Sequence, residues 1–466
     1  MIKKGEIGKK QEEELIEKSK KISVKEGCAW SFMDGFGFRY ITPYALALGA
    51  NNAQIGLLSS LPSLLGNLSQ LFTLRAMRKW TRKKIVFIGV FLQALMWLFL
   101  LLAGSLYFVF NIKNQAPASL LVIIYTILIF FGSFSGPAWT SWMKDLVTRD
   151  RGCYFGKRSK IAGIVAIVCM LIAGFILDYF EKTNIFIGFI IIFFIAFLGR
   201  ATSSYFMLRQ YEPKFKEDDR SYFSLFSFVK KMAFNNFGRF TLYYVLISLA
   251  VNISSPFFAV YLLKDLGFSY TSYMIIVLSS SISSLLFMPA WGKFADRYGN
   301  VKVMKICGPM IPFIPILWVF SALILNTNVP VVGYLFIIEI FSGFVWAGFN
   351  LAAGNFIYDA VSKQRMAICV SYFSILSGFG VVVGATLGGI ISSMNFSIGG
   401  ITPMLFIFIL GAIVRLVVYL IMDSRIKEVR PVNEFGFLEA RHKIKTLSLH
   451  KFFEYMDLHP IKARHI

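Results

Sequence analysis

Asp145-Leu-Val-Thr-Arg-Asp-Arg151 and Asp359-Ala-Val-Ser-Lys-Gln-Arg365 are variants of one phrase, 214 positions apart. Each starts on a carboxylate at the end of an apolar stretch and closes on an arginine. Three further matches keep nearly the same offset. Arg78-Lys-Trp-Thr-Arg-Lys-Lys84 parallels Asp296-Arg-Tyr-Gly-Asn-Val-Lys302 at 218, Thr42-Pro43-Tyr44 parallels Ser255-Pro256-Phe257 at 213, and Arg200 parallels Arg415 at 215. One coincidence would mean little; four at a near-constant separation mean a duplicated unit.

The unit is built to cross a membrane. A spanning helix needs about 20 mostly apolar residues. Such stretches lie near 28–49, 53–74, 85–108, 119–143, 161–180, 184–207, 240–263, 270–291, 303–325, 330–358, 367–394 and 401–422, six in each copy. Six is even, so the copies share one orientation and relate by an axis along the membrane normal. The expected fold is therefore an all-α membrane protein, with 12 transmembrane helices in two six-helix bundles related by a parallel internal repeat. Residues 1–27 form a charged N-terminal segment, 28–207 the first bundle, 208–239 a polar linker, 240–423 the second bundle and 424–466 a polar tail. An interfacial amphipathic helix is expected near 224–234 within the linker.

Charge orients the chain. Of 48 Lys and Arg residues, 42 fall in the connections and termini of one side. Cytoplasmic loops collect these residues, so both termini are expected in the cytoplasm of a multi-pass protein of the cell membrane. The net charge of +23 sits in short loops flanking apolar helices, where it meets anionic lipid headgroups rather than nucleic acid. No C-x-x-C, Walker loop, H-E-x-x-H or G-x-S-x-G occurs, so neither an enzyme, an ATP-driven pump, a bound metal nor another cofactor is expected. The four histidines all fall in the tail at spacings too wide for a metal site.

The loop after the eighth apolar stretch reads Gly292-Lys-Phe-Ala-Asp296-Arg297-Tyr-Gly299-Asn-Val-Lys302. It resembles the signature G-x-x-a-D-r-x-G-r-k of the major facilitator superfamily, with Asn300 and Val301 departing from it. The span number, the duplication and the central linker are similar to that superfamily too, over about residues 28–424. The resemblance implies two bundles rocking about a central cavity, a small solute as substrate, and a monomer in the lipid bilayer. It also implies a cytoplasmic gate of Gly292, Asp296, Arg297 and Gly299 with Asp359 and Arg365, matched by Asp145 and Arg151 in the first half. In that half Arg78 replaces Asp296, so the equivalent loop is basic throughout.

Charge within a bilayer is costly, so Asp34, Arg39 and Glu339 are candidates by default. They fall on spans 1 and 10, which with 4 and 7 line the cavity in the superfamily. Arg39 is expected to bind an anionic solute group or to hold Glu339, and Asp34 and Glu339 are the carboxyls that could carry a coupling proton. Trp139, Trp142, Tyr243, Tyr244, Asn252, Trp346 and Asn350 are the aromatic and amide candidates on the same helices. Arg200 and Arg415 lie on peripheral spans and are expected to snorkel or to brace a bundle. Gly380-x-x-x-Gly384-x-x-x-Gly388 marks a tight helix seam. The marks of drug–proton antiporters, sugar porters, peptide porters and nitrate porters are missing, which leaves the substrate open. A lipid or lysolipid flippase and a non-transporting sensor or scaffold are the alternatives.

Overall fold

The computed structural model describes residues 9–147, 151–213, 224–325, 330–362, 365–397 and 400–432. The tail beyond 432, with its histidines, and the middle of the linker lie outside them. Among the described residues every regular element is helical: α1 Lys9–Phe36, α2 Ile41–Ala47, α3 Asn52–Ala76, α4 Arg82–Gly104, α5 Ala116–Leu146, α6 Arg151–Glu181, α7 Ile185–Arg209 and α8 Leu225–Lys231, then α9 Asn236–Asn252, α10 Phe258–Val260, α11 Tyr270–Tyr298, α12 Asn300–Cys307, α13 Phe313–Ile324, α14 Val331–Ala360, α15 Met366–Ser392 and α16 Pro403–Met422. Nine helical segments among the described residues are long and apolar enough to cross a bilayer.

Of the expected spans outside these nine, the second is the unbroken helix α3, while the first and ninth are divided into shorter helices, as is the seventh, which is among the nine. α1 starts at Lys9 and runs without a break past residue 27, where a boundary was expected. It stops at Phe36, and a 3₁₀ turn Phe38–Tyr40 leads into α2. In the second copy α9 stops at Asn252 and a 3₁₀ turn, Ser255–Phe257, leads into α10. Both breaks sit beside the paired prolines Pro43 and Pro256, whose rings cannot join an i−4 backbone hydrogen bond. The short α8 falls where an interfacial helix was expected, and Phe226 and Phe234 there are 79% and 83% exposed.

Glycine sets how closely the helices pack. A Cβ on Gly384 would run into the carbonyl of Leu249 on α9, and one on Gly388 into that of Ile253, just past its end. The expected seam thus joins α15 to α9, backbone against backbone. On another side of α15, Gly389 lies against Ala53 of α3, and Gly56 of α3 lies against the Ala385 carbonyl. These contacts cross between the two halves.

The halves also meet at the face opposite the termini. Asn52 donates to the Ser392 carbonyl at 2.7 Å, and Asp178 of α6 accepts from the backbone of Tyr270 and Thr271 at the start of α11. Towards the terminal face, a Cβ added to Gly136 of α5, Gly156 or Gly163 of α6 or Gly354 of α14 would meet no described atom within 4 Å beyond its own stretch of helix.

Arg200 and Arg415 do not snorkel. They are 6% and 2% exposed, and each braces its own bundle. Arg200 donates to Gln93 at 2.7 Å, and Arg415 donates to Ser254 at 2.6 Å. Glu26, 2% exposed, pairs with Arg158 at 2.7 Å and accepts from Ser203 at 2.8 Å. Isolated charges would be expelled from such a core; hydrogen-bonded ones are tolerated.

Candidate functional site: a two-lobed cavity and a clamp in each half

Two cavities lie between the halves and share Ser63. One, of about 350 Å³, is lined from α3, α9, α14 and α15, with Asn67, Tyr244, Asn252, Trp346 and Ser374 on its wall. The other, of about 330 Å³, is lined from the α1–α2 break, α3 and α5, with Phe38, Thr42, Tyr125 and Pro256. Neither wall carries a charged side chain. Amides, hydroxyls and ring faces offer hydrogen bonds and stacking, the mixture small-molecule sites use. Asn67 donates to the Ser374 carbonyl at 2.9 Å across the halves. The Ser377 hydroxyl in the same wall is buried without a partner among the described residues.

The expected residues divide. Asn252, Trp346 and Tyr244 line the larger cavity. Tyr243 turns away and is 3% exposed against the Phe349 ring, while Asn350 is exposed. Trp139 stacks under Arg158 at 5.1 Å, and Trp142, fully buried, donates to the Tyr211 carbonyl at 2.8 Å. Those two belong to the terminal end of the first half. Asn67, Ser63 and Ser374 lie on α3 and α15, outside spans 1, 4, 7 and 10, and carry no charge that marks them in the sequence. The close α3–α15 approach is what brings them to the wall.

Arg39 stands in the turn between α1 and α2 and is exposed. Among the described residues no hydrogen bond or ion pair engages it. Glu339 is elsewhere: it accepts from Trp318 of α13 at 3.1 Å, with the Ser280 hydroxyl of α11 beside it. The two expected partners are not brought together.

At the terminal face each half carries a clamp around the start of one helix. In the first, Arg82 is 1% exposed and pairs with Asp145 at 2.5 Å, while Glu212 accepts from its backbone at 2.9 Å. In the second, Asn300 donates to Asp359 at 2.7 Å and Glu428 accepts from the Val301 backbone at 2.8 Å. Arg430 adds an ion pair to Asp359 at 3.0 Å and approaches Asp296 at 4.0 Å. Glu212 and Glu428 are 216 positions apart, an offset that could have flagged them in the sequence. Gly299, at φ 94°, takes the left-handed turn between α11 and α12, a conformation costly for any residue with a Cβ. Arg297 lies over the Tyr298 ring at 5.2 Å. Gly292 has only Leu351 nearby, and Arg365 is exposed at the start of α15. Arg151 begins α6.

Tyr211, beyond the end of α7, is tied to this region by its backbone N–H to Ser19 and its hydroxyl to Glu12. Burial, and then the Glu12 carboxylate, push its phenol above the ordinary range.

Several solved structures share this architecture. A variant of the nucleoside transporter NupG superposes with a TM-score of 0.67 at 18% identity, over 89% of this chain and 100% of its own. A bacterial homologue of the iron transporter ferroportin, in the inward-facing state, gives 0.61 at 13% over 87% and 99%. A bacterial homologue of the human lysosomal transporter Spinster, also inward-facing, gives 0.58 at 15% over 88% and 96%. No curated protein matches the sequence significantly. The Major Facilitator Superfamily model matches twice, at residues 28–243 and 240–456, so the chain belongs to that superfamily.

Proposed function

We propose that this protein moves a small solute across the cell membrane by alternating access. In this reading twelve spans form two six-helix bundles with both termini cytoplasmic, and the two-lobed cavity is the solute's compartment. The observation that carries it is a cavity walled by both halves and capped at one face by the Asp178 contact to Tyr270 and Thr271. The nucleoside and iron transporters named by similar structures fit this reading without naming the cargo. Each lobe, near 350 Å³, has the size of a metabolite pocket, which favours a compact solute over a two-chain lipid. Asp34 is the carboxyl best placed for proton coupling, since Glu339 is engaged within the second half. The two clamps would hold the terminal ends of their bundles rigid during rocking.

The test needs no substrate. In a variant with the five cysteines replaced, Ser63→Cys is exposed to a membrane-impermeant thiol reagent from each side in turn. Alternating access requires labelling from both faces, each suppressed when the opposite face is locked open. Labelling from one face under all conditions would leave a fixed receptor or scaffold.

A further inference from the structure

We infer that the larger lobe takes an uncharged solute with a flat ring and an amide or hydroxyl edge, its face on the aromatic side of the wall and its edge on Asn67 and Asn252. The inference rests on the transport reading above and deepens it by naming the class of cargo.

The wall of this lobe has two kinds of surface. On one side stand Tyr244 of α9, Trp346 and Phe349 of α14 and Phe373 of α15. Their rings run on from one another. Tyr244 and Phe373 have centroids 4.8 Å apart, Tyr244 and Phe349 are stacked at 6.3 Å, and Trp346 meets Phe349 edge-on at 5.7 Å. Phe349 is fully buried, whereas Tyr244, Trp346 and Phe373 are only half-buried. A flat ring extends such a cluster by offset or edge-on contact, the arrangements aromatic pairs prefer.

The other side is polar, with hydrogen-bonding capacity to spare. Asn67 donates to the Ser374 carbonyl at 2.9 Å, and Asn252 donates to the Ser248 carbonyl at 2.8 Å. Each amide keeps a second N–H and its own carbonyl oxygen, a donor and an acceptor side by side. Among the described residues nothing engages those groups, the Tyr244 hydroxyl or the Trp346 indole N–H. Ser377, 9% exposed, adds a hydroxyl that is likewise without a partner there. Polar groups left unmet on leaving water are costly, and the edge of an amide or a hydroxylated ring would meet them. No residue lining either lobe is charged, so an ion seated there would give up its water without a counter-charge. The lobe, of about 350 Å³, lies at the small end of ligand pockets, which span about 300–1,000 Å³, and suits one or two rings. Ser63 and Asn67 belong to α3 and the rings to α9, α14 and α15, so one seated solute touches both halves, as an occluded intermediate requires.

Matched triplets of probes test this on the purified full-length chain in lipid nanodiscs: uracil with orotate and dihydrouracil, nicotinamide with nicotinate and cyclohexanecarboxamide, and uridine with uridine 5′-monophosphate and dihydrouridine. In each triplet the second compound carries a negative charge and the third lacks the flat ring. Thermal midpoints are titrated against every probe. The expected result is that at least one neutral flat compound raises the midpoint at concentrations where its two twins do not. Trp346→Leu and Asn252→Leu should then weaken that compound about tenfold each, and Asn252→Gln and Ser377→Ala severalfold. Asn350→Ala, at an exposed residue outside both lobes, should leave it unchanged. If Trp346→Leu does not fold, Asn252→Gln and Ser377→Ala carry the test. A charged or saturated twin that binds as well or better, no response to any neutral flat probe, or binding unmoved by the four lobe substitutions would overturn the inference. Ser63→Cys labelling without solute reads alternating access separately. Labelling from both faces with failed binding leaves transport standing without this class of cargo. Binding with labelling from one face alone would make the solute a sensed ligand and overturn its place as cargo.

Discussion

Asp178 caps a helix that belongs to the other half of the molecule: its carboxylate accepts from the backbone N–H of Tyr270 at 2.7 Å and from that of Thr271 at 3.1 Å. The first N–H groups of a helix lack internal partners and carry the positive end of its dipole, so a carboxylate there stabilises by about 0.5–2 kcal/mol. In the proposed alternating access, the contact must break before the cavity can open on this face. Asp178→Ala should therefore shift the resting population towards that opening. The readout is faster labelling of Ser63→Cys from the face opposite the termini, and an unchanged rate would show that the cap does not hold the closure.

Arg82 is the centre of the first-half clamp, and its counterpart 218 positions later is Asn300. Removing one partner of a buried pair costs about 3–5 kcal/mol. Arg82→Ala is expected towards the lower end of that range, because Asp145 keeps 41% of its side chain in solvent. Arg82→Asn, which copies the second half, should lose less. Thermal unfolding of the two variants side by side decides; equal losses would refute the equivalence of the clamps.

At Gly384 the Leu249 carbonyl leaves no room for a side chain, whereas Gly136 has nothing within 4 Å. Gly384→Val should cost about 1–3 kcal/mol through overpacking. Gly136→Val should fold near normally. Expression and thermal midpoint in detergent separate the two, and similar behaviour would argue against the seam.

Arg415 is buried on neutral acceptors, the Val251 carbonyl and Ser254. Replacing a buried ionic group by an apolar one of similar volume is often neutral or stabilising. Arg415→Met should accordingly hold or raise the thermal midpoint. Glu26→Leu should lower it sharply, because it leaves Arg158 and Arg200 with a buried charge and no carboxylate. A large loss for Arg415→Met would mean that its hydrogen bonds outweigh the desolvation of its charge.

The fold was legible because its causes are periodic or compositional. Runs of apolar residues announce spans, basic loops announce a side, and offsets of 213–218 announce the copy. The seam glycines could be named but not their partner. The clamps were half legible: Asp145 and Asp359 stand out as paired carboxylates, while Glu212 and Glu428 sit in polar connections where a single glutamate carries no mark of a partner. Arg39 was marked by the rarity of charge in a membrane span, yet its place in a turn between two helices was not.

Sequence by itself determined that this chain is a duplicated helical membrane protein of the superfamily, because length, hydropathy and repetition act locally along the chain. Tertiary structure alone decided which side chains share a space. It placed Glu339 with Trp318 rather than with Arg39, and brought Asn67 to Ser374 across the halves. Those meetings depend on how closely backbones approach at Gly56, Gly384 and Gly389 and on where helices α1 and α9 break, and no single stretch of sequence encodes them.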